Sequence, residues 1–126
     1  MNRRSLALKQ LPPMELSMMH ILWEHGPSQV QQIRDRLEGD PAYTTVQTVL
    51  NKMERKGRVK RSLSGRAYIY TAALKKDAAL GNAATDLVQR VFQGSVESLL
   101  MSLVKCKQLD EAALRRLDQL IAEEKE

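Results

Sequence analysis

Between Tyr43 and Tyr70 the hydrophobic period changes from that of a helix to that of a strand pair, which leaves few folds open. Val46, Val49, Leu50 and Met53 recur at i, i+3, i+4 and i+7 and so share one helical face. The opposite face carries Thr45, Gln47, Thr48, Asn51, Lys52 and Arg55. Lys56-Gly57 then supplies a cation for the last turn and a glycine to end it. Val59 to Leu63, Ser64-Gly65-Arg66 and Ala67 to Ala72 read as strand, tight turn, strand. A two-stranded hairpin is not stable alone. Val59, Leu63, Ile69 and Tyr70 are therefore expected to cover the helices, with the helix around Trp23 beneath them. A helix followed by a basic hairpin is the plan of a winged helix-turn-helix, and a helix is the element that fits the DNA major groove.

The segment before this stretch supplies the other helices. Residues 1–10 read as a loose arm. Pro12-Pro13 stands where a helix begins, with Glu15 in its first turn. Leu16, Met19 and Trp23 form one row, and Met18 and Leu22 the next, up to His25-Gly26-Pro27. His20 and His25 are expected to be a surface residue and a helix-end residue, since no cysteine or carboxylate cluster joins them. Ser28 is placed to cap a second helix from Gln29 to about Glu38, with Val30, Ile33 and Leu37 inward. Gly39-Asp40-Pro41 breaks it before the third helix begins.

From Lys75 onward glycine and proline nearly vanish, leaving Gly81 and Gly94. Leu80, Ala84, Leu87, Val88, Val91 and Phe92 make one helical stripe, and Val96, Leu99, Leu100, Leu103 and Val104 a second. Asp110 can cap a third helix with Leu114, Leu117, Leu120 and Ile121 on one face. Three such stripes on so short a tail expose more apolar surface than they can cover. The expected relief is a second copy in a twofold dimer. The chain is thus expected to be mainly α with a small antiparallel hairpin, dividing into a winged-helix DNA-binding domain (1–74) and a helical dimerisation domain (75–126).

Charge placement agrees. Residues 1–74 hold 12 Lys/Arg against 6 Asp/Glu, while residues 75–126 hold 8 against 9. Lys52, Arg55, Lys56, Arg58, Lys60, Arg61 and Arg66 face Glu54 alone between Asn51 and Arg66. A basic face on one half of a chain suits a polyanion. Gln47 can pair with adenine, Thr45 and Thr48 suit bases or phosphates, and Lys52 and Arg66 suit phosphates. Asn51, on the same polar face, is assigned with the backbone-contacting set.

Several classes are disfavoured. No apolar run approaches membrane-spanning length. Residues 1–10 carry Arg3, Arg4 and Lys9 without the apolar core of a signal peptide, so the expected location is the cytoplasm. No phosphate-cradling glycine loop, metal helix or nucleophile-base spacing is present, so neither catalysis nor a cofactor is expected. The single Cys106 excludes an internal disulfide and a multi-cysteine metal site; it is read as a partly buried residue near a helix end.

The residues Met14-Glu15-Leu16-Ser17-Met18-Met19-His20-Ile21-Leu22-Trp23, Thr44-Thr45-Val46-Gln47-Thr48-Val49-Leu50, Lys56-Gly57 and Tyr68 to Tyr70 resemble the penicillinase repressor family of the BlaI/MecI type. So does the tail stretch Val91-Phe92-Gln93-Gly94-Ser95-Val96-Glu97-Ser98-Leu99. The resemblance implies an N-terminal winged helix, a C-terminal dimerisation part and repression from a palindromic operator. It places base reading at Thr45 and Gln47 and backbone contacts at Thr44, Thr48, Lys52 and Arg66. It implies a dimerisation segment in that tail stretch, and the apolar stripes assign dimerisation to Leu87, Val91, Phe92, Leu99, Leu100, Leu103, Leu114, Leu117, Leu120 and Ile121. In that family a membrane sensor protease answers β-lactams, and the repressor is cut in its dimerisation helix. Ser102-Leu103 stands here where the best-known members have an Asn-Phe bond, and the cysteine cluster of the copper-responsive branch is missing.

The sequence therefore points to a homodimeric repressor of double-stranded operator DNA, of the kind that controls antibiotic resistance genes, relieved by proteolysis. A repressor of unrelated genes, a winged helix used for protein contact and an enzyme subunit are the alternatives.

Overall fold

A computed structural model describes residues 12–125. The arm expected over residues 1–10 lies outside them. The helices are α1 (Pro13–His25), α2 (Val30–Arg36), α3 (Tyr43–Arg55), α4 (Lys76–Val91), α5 (Val96–Lys105) and α6 (Glu111–Glu124), with strands β1 (Val59–Ser64) and β2 (Ala67–Ala72) between α3 and α4. The fold is mainly helical with one small antiparallel hairpin, as the sequence implies. The chain divides within α4 into two compact units, one ending at Ala83 and the other beginning at Ala84.

The first unit is built on α1. Met18, Met19, Ile21 and Leu22 are buried there, joined by Val30 and Ile33 of α2, Val46, Leu50 and Met53 of α3, and Val59 and Tyr70 of the hairpin. Trp23 packs against this core, and its indole N–H donates to the Leu74 carbonyl at 2.8 Å, tying α1 to the chain leaving β2. The interhelical turn is held by Arg34, whose Nε donates to the Pro41 carbonyl at 2.7 Å. At the end of α3, Gly57 takes φ 78°, and the Arg58 N–H returns to the Met53 carbonyl at 2.9 Å. A left-handed residue at this point favours glycine.

Four local expectations are corrected. Ser28 does not cap α2. Its hydroxyl donates to the Gly26 carbonyl at 2.9 Å, and its backbone makes a two-way bridge to Tyr70 on the free edge of β2. The cap is Gln29, whose backbone N–H donates to Gln32 Oε1 at 2.8 Å in a reciprocal capping box. Leu63 does not cover the helices and is 64% exposed. Pairing of Arg61 with Tyr70 and Leu63 with Tyr68 puts it on the inward face, but beyond the reach of the core, toward the hairpin tip. Ile69 cannot share a face with adjacent Tyr70 in a strand and is half-buried on the other side. Cys106 is exposed rather than partly buried: it follows the last residue of α5, where the chain leaves the helix.

One buried contact was not expected. Glu15 is almost wholly buried, with Lys56 Nζ 3.6 Å from one oxygen and Arg58 Nη1 4.0 Å from the other. The start of α1 is thereby fixed electrostatically to the α3–β1 junction. Removing one member of a buried pair costs far more than the pair contributes.

In the second unit Ser95 Oγ accepts from the Ser98 N–H at 3.1 Å and Asp110 Oδ1 from the Ala113 N–H at 2.8 Å, capping α5 and α6. No described residue from Ala84 onward is buried. Val91 is 63% exposed and Leu120 59%, and Leu87, Leu114, Leu117 and Ile121 are exposed with them. Phe92, Leu99, Leu100 and Leu103 are half-buried.

Glu15→Gln is expected to lower stability by about 3 kcal/mol, within the range for a broken buried pair. The exposed control Glu24→Gln should shift it by less than about 0.5 kcal/mol. Urea midpoints at constant m-value measure both.

Candidate nucleic-acid interface

α3 is amphipathic, with Val46, Leu50 and Met53 buried in the core. That burial fixes the rotation of the helix and turns the other face outward. Thr44, Thr45, Thr48, Lys52 and Arg55 are exposed there, while Gln47, Val49 and Asn51 are half-buried at its margin. Thr44 and Thr45 lie in the first turn, the part of a reading helix that meets base edges in helix-turn-helix complexes. The Thr48 hydroxyl donates to the Thr44 carbonyl at 2.8 Å. Its hydrogen is thus committed, and its oxygen can still accept.

Gln47 and Asn51 are linked rather than free. Gln47 Nε2 donates to Asn51 Oδ1 at 3.0 Å and to the Tyr70 hydroxyl at 2.9 Å. Asn51 therefore sits beside the side chain assigned to base reading. The sequence alone gives Tyr70 a packing role. The signal that could have found its second role is chemical: a buried tyrosine needs a partner for its hydroxyl.

The hairpin continues the surface. Ser64 pairs with Ala67, so the loop is Gly65-Arg66. Gly65 has φ 64° and Arg66 is not left-handed, the pattern of a two-residue turn with glycine first. Arg66 is exposed at the tip of this loop.

The seven cations between Asn51 and Arg66 divide into two groups. Lys56 and Arg58 are turned to buried Glu15. Arg61 Nε lies 3.0 Å from Glu54 and its guanidinium 4.5 Å over the Tyr68 ring. The Tyr70 hydroxyl, and after it the Glu54 carboxylate, raises the Arg61 pKa above its ordinary value. Lys52, Arg55, Lys60 and Arg66 are exposed, and no carboxylate of a described residue lies within 4.0 Å of them. These four are available to phosphates. Among the described residues no group of three or more His, Cys, Asp or Glu side chains could hold a metal, and no helix is long and apolar enough to cross a membrane. His20 is exposed and edge-on to Trp23 at 5.2 Å.

A helix-turn-helix with an exposed polar third helix and a basic hairpin beside it defines a winged-helix transcriptional regulator that binds DNA. The family is equally plain: residues 11–123 match the model of the penicillinase repressor, and the chain belongs to that family. It is 34% identical over 114 residues to the transcriptional regulator BlaI of Mycobacterium tuberculosis, covering 86% of this chain and 83% of that one. It is 22% identical over 120 residues to the penicillinase repressor of Bacillus licheniformis, covering 94% of both. Among solved structures, its fold is similar to the transcriptional regulator Tm0710 of Thermotoga maritima (TM-score 0.57, 17% identity, 97% of this chain and 80% of that one). It is also similar to reduced AbfR bound to DNA (TM-score 0.53, 21% identity, 81% and 80%). The family places the chain among regulators and not enzymes.

Lys52→Ala and Arg66→Ala are each expected to flatten the plot of log affinity for random duplex DNA against log salt by about one. Lys56→Ala should leave that slope nearly unchanged, because its charge is spent on Glu15. Titrations of the full chain between about 50 and 200 mM salt distinguish them, and an equal flattening by Lys56→Ala would refute the division of cations.

Proposed function

We propose that this protein is a homodimeric transcriptional repressor of a palindromic operator, controlling genes of the β-lactamase or penicillin-resistance type. The observation that carries the reading is the pairing of a closed, basic winged-helix unit with a tail in which no described residue is buried. The first offers one DNA-reading helix. The second calls for a partner surface, and a second copy offers the same stripes. Two modules joined this way bind two half-sites with an affinity neither has alone.

In this reading Thr45 and Gln47 contact base edges, and Thr44, Thr48, Asn51, Lys52 and Arg66 hold the backbone. Exposure of Thr44, Thr45, Lys52 and Arg66 supports those roles; Thr48 is exposed too, but must turn its hydroxyl from the Thr44 carbonyl to donate to a phosphate. Leu87, Val91, Phe92, Leu99, Leu100, Leu103, Leu114, Leu117, Leu120 and Ile121 form the dimer surface. The work is cytoplasmic, where the DNA is, and the relieving partner is a membrane sensor protease or a protease downstream of it. Ser102 and Leu103 stand near the C-terminal end of α5, where helices open most readily. Cutting there would detach α6 and its four large apolar residues, and the avidity of the pair would fall with them.

Footprinting on the DNA upstream of the protein's own gene, with random DNA as competitor, tests the reading. The expected result is a protected inverted repeat. Salt-sensitive binding without a footprint would move the target elsewhere. No DNA binding even at low salt would overturn the repressor reading in favour of a protein-contact module. Leu117→Asp is expected to yield monomers in sedimentation equilibrium and to weaken operator binding at least tenfold, while the thermal transition of the winged-helix unit stays in place.

A further inference from the structure

Gln47 meets the outer face of α3 with its amide nitrogen already engaged. Nε2 lies 3.0 Å from Asn51 Oδ1 and 2.9 Å from the Tyr70 hydroxyl. A carboxamide nitrogen has two hydrogens and accepts nothing, so these contacts use both. The remaining capacity of the side chain is that of Oε1, an acceptor. Neither anchor is loose. Asn51 stands one helical turn along α3, and the Tyr70 ring is wholly buried, with its backbone bridged to Ser28 in both directions, at 3.0 and 2.8 Å.

We propose that Tyr70 and Asn51 are positioning residues that make Gln47 an acceptor-only reader, selecting a base that offers an exocyclic amino group to the major groove. Adenine N6 and cytosine N4 supply that donor, whereas guanine presents O6 and N7 and thymine presents O4, all acceptors. The inference rests on the proposed reading of α3 as the base-contacting helix. It differs from the two-point glutamine–adenine contact that the sequence suggests, because that contact needs a glutamine N–H for adenine N7. One hydrogen bond in place of two also makes the discrimination modest, about three- to tenfold. Guanine and thymine are rejected by carbonyl facing acceptor with no hydrogen between them. The wing takes part in specificity without touching the base, since a β2 residue sets the chemistry of an α3 side chain.

The test uses the full chain. Selection from a randomised duplex library gives the preferred site, and repetition with Gln47→Ala identifies the position whose preference Gln47 sets. If that base is adenine, duplexes carrying purine (no 6-amino group) or 7-deazaadenine (no N7) are compared. If it is cytosine, 2-pyrimidinone replaces it. Loss of the amino group is expected to weaken wild-type binding about three- to tenfold and to leave Gln47→Ala indifferent. The 7-deaza change is expected to stay within twofold. Tyr70→Phe keeps the buried ring and frees one amide N–H, so it should acquire sensitivity to 7-deazaadenine and tolerance of guanine. A merely structural role for Tyr70 would shift affinity for all duplexes together. The proposal is overturned if loss of the amino group of the selected pair leaves wild-type binding unchanged, if 7-deazaadenine weakens the wild type as much as purine does, or if folded Tyr70→Phe keeps the wild-type profile. Should Tyr70→Phe fail to fold, the wild-type analogue comparison decides alone. A library that enriches no sequence overturns the base-reading proposal and this inference together. An enriched site whose affinity is indifferent to loss of that amino group overturns only the inference.

Discussion

The winged-helix unit depends on one buried phenol. Tyr70 fills the core with its ring, closes the sheet edge through its backbone bridge to Ser28, and holds Gln47 with its hydroxyl. The three roles are compatible because a tyrosine is apolar along its body and polar at its tip. Its place in β2, opposite Arg61, points the ring toward the helices and leaves the hydroxyl at the margin of α3. Helix and wing are thus coupled by a short chain of hydrogen bonds as well as by packing. A change in the hairpin that shifts β2 by one residue would turn this side chain to the other face and lose all three contacts at once.

Electrostatics sort the basic residues by depth. A buried carboxylate at Glu15 needs compensating charge, and it draws on Lys56 and Arg58 from the most basic stretch of the chain. Those two cations secure the α3–β1 junction, Arg58 from within and Lys56 from a half-exposed position, and part of their charge is offset by Glu15. Arg61 is occupied by Glu54 and Tyr68 in the same way. The surface left to a polyanion is smaller than the charge count suggests, and more ordered. It runs from Lys52 and Arg55 on the helix to Lys60 and Arg66 on the hairpin, elements whose relative position the core fixes.

Much of the fold was legible in the sequence because it rests on periodicity and punctuation. Val46, Val49, Leu50 and Met53 declare a helix face, Lys56-Gly57 its end and Ser64-Gly65-Arg66 the hairpin, and the structure places α3, β1 and β2 accordingly. What failed was local competition and reach. Ser28 is a good capping residue by type, but its backbone was claimed by the sheet edge and the cap passed to Gln29. Leu63 has the right parity and the wrong distance from the core. At the candidate interface, the outward threonines and Lys52 follow directly from the helical period. The Gln47–Tyr70 contact does not, since it joins residues 23 apart through a strand register that no single window displays. Glu15 was equally hidden: in the first turn of a helix a glutamate looks like a partner of the helix dipole, and only packing reveals a buried ion pair.

The two units stand differently with respect to solvent, and that difference bears on regulation. The winged-helix unit closes its own core, from Met18 to Tyr70. The tail presents Leu87, Val91, Leu114, Leu117, Leu120 and Ile121 to solvent. Apolar surface left in water forgoes about 25 cal/mol per Å², so on the proposed reading the stability of the tail varies with the concentration of its partner. The stability of the reader does not. Such a division allows a switch to act by dissociation alone. On that reading, damage to the tail lowers the effective concentration of one half-site reader beside the other, while each α3 keeps the geometry that its own core imposes. On the proposed reading, this repressor releases its operator by losing its second copy, with each reader still folded.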